Sequence, residues 1–218
     1  MPELHQLLLF VAAGLLLNLT PGPDVLYIVS HALRSGTRAG IVAGLGITAG
    51  CFVHIVAAAL GVSALMAASS TAFGLLKWLG AAYLLWIGLR MLFSRGGQNT
   101  PNLIAGGAAG TGAIGIKALF FGGFWTNALN PKVALFFLAF VPQFIAPDAQ
   151  HKPLAFFLLG LLFNFNGIFI NVAWAVLAGW MARRLGVVQR GMQALQRVAG
   201  LMFIGFGLKL ALTDHPAT

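Results

Sequence analysis

Two short stretches decide how this chain is read: Asn18-Leu19-Thr20-Pro21-Gly22-Pro23-Asp24 and Asn127-Ala128-Leu129-Asn130-Pro131-Lys132. Each lies inside a long apolar run, and each carries an asparagine, a proline and then a charge. A proline inside a helix removes one backbone donor and clashes with the carbonyl four residues back. In hydrocarbon, the freed carbonyl has no water to turn to. Two such breaks in matching places therefore point to backbone that lines a cavity, and so to a binding site near the middle of a membrane. The alternative is that the prolines kink their helices only for packing.

The composition around these stretches is that of a membrane protein. The chain has 218 residues, of which 59% are hydrophobic and 8% charged, and its mean hydropathy is +0.90. A soluble domain carries roughly 25% charged residues. This hydrophobicity also excludes intrinsic disorder. Six apolar runs are long enough to span: Leu7 to about Ser30, Ile41–Ala67, Phe73–Phe93, Ala118–Ala146, Pro153–Ala182 and Leu195–Leu212. Barrel strands would alternate with period two, whereas Val133 to Val141 is continuously apolar, so helices are expected. The first run has no Lys or Arg before it and contains Pro21-Gly22-Pro23, so it is read as a retained helix and not a signal peptide.

The expected fold is all-α: one transmembrane transporter domain over residues 1–218, with six transmembrane helices. A first three-helix repeat covers about 1–95, a polar Gly-rich loop about 96–115, and a second repeat about 116–218. Because three is odd, the second repeat enters the membrane from the opposite side, which makes the repeats inverted. Lys77, Lys152 and Lys209 fall on one side of this arrangement. Arg34, Arg38, Arg90, Arg95, Lys117, Arg183, Arg184, Arg190 and Arg197 fall on the other. The second side is expected in the cytoplasm of a bacterial inner membrane, with both termini external.

The net charge of +9 is dispersed in loops, so nucleic acid is not expected as a partner. Cys51 is the one cysteine and has no disulfide partner in the chain. Gly40-x-x-x-Gly44-x-Gly46-x-x-x-Gly50 reads as small-residue helix packing. Trp78, Tyr83, Trp86 and Trp180 read as interface anchors.

Asp24 is the single acid well inside a span. It reads as a proton carrier or ammonium counter-ion, against an ion pair with Lys132 or a helix-start acid. Lys132 reads as a carboxylate binder or a snorkelling side chain. Asn18, Asn127 and Asn130 can bond a zwitterion or the carbonyls freed by Pro21, Pro23 and Pro131, with Gly22 adding a flexible point. His54 is a proton relay or a buried polar contact. Asn164 and Asn171, seven apart on one helix face, line the same cavity or bond between helices. Gln143 is a gate or an interface residue. No catalytic residues, metal ligands or cofactors are expected, since paired carboxylates and a nucleophile–base pair are missing from the sequence.

Asn18-x-x-Pro21-Gly22-Pro23-Asp24 with Arg34-Ser35-Gly36-x-x-Ala39-Gly40 resembles the N-terminal signature of the lysine-exporter / RhtB (homoserine–threonine exporter) family of amino-acid efflux proteins. Leu76-Lys77-Trp78-Leu79-Gly80-Ala81-Ala82-Tyr83-Leu84, Asn130-Pro131-Lys132-x-x-Leu135-Phe136-Phe137 and Phe140-Val141-Pro142-Gln143-Phe144 extend the resemblance along the chain. It implies a six-helix exporter of neutral or basic amino acids, driven by protons. A passive channel or a membrane assembly factor is the rival. The expected partners are an amino-acid substrate, protons and the lipid bilayer, with a homodimer left open.

Overall fold

The computed structural model describes residues 4–69, 115–146 and 149–182, with scattered helical positions over 71–89 and 197–208. The polar loop up to residue 114, about half of the third and sixth runs, and Lys77, Tyr83, Arg90, Arg95, Arg183, Arg184, Arg190 and Lys209 lie outside the described residues. Every regular element among the described residues is helical.

Among the described residues, two helices are long and apolar enough to cross a membrane by themselves, and two bent helix pairs are so when each pair is taken as one span. The first begins as α3 (Thr37–Ala57) and continues through a π-helical turn, Ala58–Val62, into Ser63–Ala68. The other is α6 (Lys152–Met181). The two bent pairs are broken segments. α1 (Leu4–Leu19) meets α2 (Pro23–Ser35) at 49°. α4 (Ile116–Ala128) meets a segment running from α5 (Pro131–Leu135) to Phe144 at 44°. The sequence ended the first run near Ser30, but α2 reaches Ser35, where Gly36 at φ 84° closes the turn. Only glycine adopts that conformation without strain.

The residue after each break explains why a helix restarts there. Gly22 has extended backbone, Pro23 takes the first helical position and Asp24 the second. Asn130, Pro131 and Lys132 repeat this order. Proline suits a first helical position, because its missing N–H would have no partner in the helix anyway. Asn130 also caps α5, its Oδ1 accepting the Lys132 backbone N–H at 3.0 Å. Beyond α5, Pro142 has no N–H to continue the ladder. The chain passes through a π-helical turn, Phe136–Phe140, and a 3-10 turn, Val141–Phe144.

Glycines set the helix order. A Cβ at Gly46 would collide with the Phe120 carbonyl, and one at Gly50 with the Phe124 carbonyl. α3 and α4 therefore run parallel with their backbones in contact, and Arg38 and Lys117 lie at the same end. Gly40 and Gly44 point elsewhere, against Ala175 and Asn171 of α6, so α3 and α6 run antiparallel. Gly14 packs on Phe163 and Gly167 on Asn18, so α1 and α6 run parallel. It follows that the two broken segments run in opposite directions. A large apolar cluster, rich in Phe (Phe10, Phe136, Phe137, Phe140, Phe144, Phe156), fills one end. A small one, Ile28, Ala43, Ile47 and Ala175, fills the other.

Candidate functional site

The two breaks meet between these clusters, around a cavity of about 20 Å³. That is room for about one water molecule. Asn18, Asp24, Asn127, Lys132, Asn164 and Asn171 all contribute to its wall. Residues from both broken segments and from α6, up to 153 positions apart in sequence, are thus brought to one place.

Asp24 is 8% exposed. Its Oδ2 accepts two amide bonds from the other break, from Asn127 Nδ2 and from Asn130 Nδ2, each 2.9 Å. Among the described residues its Oδ1 has no hydrogen-bond partner, and neither has Asn127 Oδ1 or Asn18 Nδ2. The N-terminus of α2 adds favourable field at the carboxylate.

Lys132 is 7% exposed, and its ammonium donates to the Leu17 and Thr20 carbonyls, both at 3.1 Å. The Leu17 carbonyl is the one that Pro21 deprives of its helical donor. A cation in the first turn of α5 faces the positive end of its own helix. The long stem carries the charge away to the negative C-terminal end of α1. It passes over Gly22, where a Cβ would stand 3.1 Å from Nζ. The ammonium therefore closes the first break.

The second break is closed the same way from α3. Pro131 leaves the Asn127 carbonyl without its helical donor, and His54 Nε2 donates to it at 2.8 Å. The Asn130 N–H shares the same oxygen at 2.8 Å. His54 is stacked on Phe137 and stands outside the cavity wall. The sequence offered the asparagine amides for a zwitterion or for the freed carbonyls. Instead those carbonyls take Lys132 and His54, and the amides of Asn127 and Asn130 hold Asp24.

Two wall residues carried no sequence signal. Thr48 gives its hydroxyl to the Gly44 carbonyl at 2.9 Å, while its own carbonyl accepts from Asn164 Nδ2 at 3.2 Å. Its hydroxyl oxygen also accepts from Asn171 Nδ2 at 3.5 Å. Cys51 is buried and faces the cavity. Gln143 donates to the Ala139 carbonyl one turn back and stays away from the site.

Residues 15–214 match the family model described as LysE type translocator. An uncharacterized membrane protein of Vibrio cholerae is 30% identical, over 96% of this chain and 98% of its own length. A leucine efflux protein of Klebsiella pneumoniae is 29% identical, over 94% of this chain and 93% of its own length. A leucine efflux protein of Salmonella typhimurium is 27% identical, over 93% of this chain and 92% of its own length. No solved structure matches the chain. With a full-length match of this kind and two broken apolar helices meeting at a buried carboxylate, the chain is a membrane protein of the LysE type translocator family.

Proposed function

We propose that this chain exports an amino acid from the bacterial cytoplasm across the inner membrane, as a secondary carrier driven by returning protons. The observation that carries the reading is Asp24: one buried carboxylate, held by the second break on Oδ2, with Oδ1 left to a ligand at a cavity between two broken helices. A carboxylate so placed binds an ammonium when ionised and a proton when neutral, the two states an antiporter exchanges. The named activity of the Klebsiella and Salmonella relatives is leucine efflux, which agrees with it.

The six helices form two inverted three-helix halves in this reading. The opposed directions of the broken segments support it. So does the approach of the sixth run to the third, where a Cβ at Gly207 would stand 3.0 Å from the Ala81 carbonyl. The shared end of Arg38 and Lys117 is cytoplasmic and the termini are external. Since about 20 Å³ does not admit an amino acid, the halves rock apart to load and unload it.

The purified protein in liposomes loaded with radiolabelled leucine tests this. A proton gradient directed against export, so that protons enter as leucine leaves, drives the label out against its own gradient, and an uncoupler abolishes the effect. Uncoupler-insensitive downhill leakage would instead mark a channel.

A further inference from the structure

Within that export reading, we infer that the site selects amino acids with an uncharged, apolar side chain and discriminates against dibasic and acidic ones. Three buried atoms at the breaks have no hydrogen-bond partner among the described residues: the acceptors Asp24 Oδ1 and Asn127 Oδ1 and the donor Asn18 Nδ2. All three residues line one cavity. Two acceptors and one donor match a zwitterion, the α-ammonium on the two oxygens and the α-carboxylate on the amide. A buried acceptor left unpaired is costly, so the ligand that satisfies these atoms gains both affinity and orientation.

The remaining wall decides the side chain. Among the described residues that line the cavity, Asp24 is the one acid, and the α-ammonium uses it. A lysine side chain would bring a second ammonium with no carboxylate to meet it. A glutamate side chain would need a cation, and the one in the wall, Lys132, already serves the Leu17 and Thr20 carbonyls. Leu17, Val25, Ile47, Val133 and Phe163 supply apolar contact instead. An unpaired charge in such surroundings is strongly disfavoured.

Exchange by the reconstituted protein reads this directly, with labelled leucine, lysine and glutamate tested separately. Leucine is expected to exchange about a hundredfold faster than either charged amino acid at equal concentration. Lysine exchanged as fast as leucine would overturn the selectivity and leave export standing. No exchange or pH-driven transport of any amino acid would overturn the export reading itself. Two competitors of the wild-type protein address the ammonium. 3-Methylbutylamine, which lacks the carboxylate, is expected to inhibit leucine exchange, and 4-methylpentanoate, which lacks the ammonium, is not. Equal inhibition by both would remove the ammonium site. Finally, Asn171→Asp places a second carboxylate in the wall and should raise the lysine-to-leucine ratio at least tenfold. If the variant inserts and the ratio is unchanged, the side chain does not face that wall and the assignment fails.

Discussion

The two breaks follow one plan with opposite charges. At each, the helix ends, an extended residue follows, a proline restarts the next helix, and a charged residue takes the second position. Asp24 suits the positive end of its helix. Lys132 does not suit its own, and it crosses to the far side of the other break. As a result the first break is closed by a side chain of the second, while Asp24 of the first is held by two amides of the second. His54 closes the second break from α3. Each break thus depends on a segment outside its own broken helix. In the proposed rocking of the halves these bonds would change, and the same residues would serve as site and moving parts.

The comparison is broken most severely at Lys132. Lys132→Met keeps the length of the stem and removes both bonds to the α1 carbonyls. The expected loss is about 1–3 kcal/mol for each orphaned carbonyl, seen as a lower melting temperature in detergent. Gly50→Ala comes next. Its Cβ would collide with the Phe124 carbonyl, and overpacking of this kind costs about 1–3 kcal/mol. His54→Ala removes a single hydrogen bond, at about 1 kcal/mol. His54→Gln restores an N–H donor and should recover part of that loss, which separates the capping bond from any effect of ring stacking. The smallest effect is expected at Gly167→Ala. There a Cβ would stand 3.4 Å from Asn18 Nδ2, an ordinary contact, so the melting temperature should hardly move. A large loss at Gly167 with a small one at Gly50 would reverse the packing described for the two breaks.

Much of this arrangement was legible in the sequence. Prolines beside asparagines and charges inside apolar runs announce a broken helix, and the breaks fall at those residues. The partners were not legible. Lys132 bonds the Leu17 carbonyl 115 residues away, and a backbone carbonyl has no residue type to signal it. For the same reason the asparagines were read for a zwitterion or the freed carbonyls, and not for the carboxylate across the cavity. Thr48 gave no sign because a helical threonine normally satisfies its own hydroxyl one turn back, as it does here. The glycine series announced close packing. Its division into one face for α4 and another for α6 depends on where those helices lie, which residue spacing within α3 alone does not determine.

Asp24 carries the central claim, and Asp24→Asn tests it most directly. The amide keeps the shape and removes the titratable group, and a neutral side chain is easier to bury than a carboxylate, so insertion should be unimpaired. In liposomes containing equal amounts of wild-type and variant protein, pH-driven leucine export is measured beside leucine exchange. The account predicts that the variant loses pH-driven export and exchanges leucine with a raised half-saturation concentration, because the ammonium has lost its counter-charge. Full pH-driven export by Asp24→Asn would contradict it.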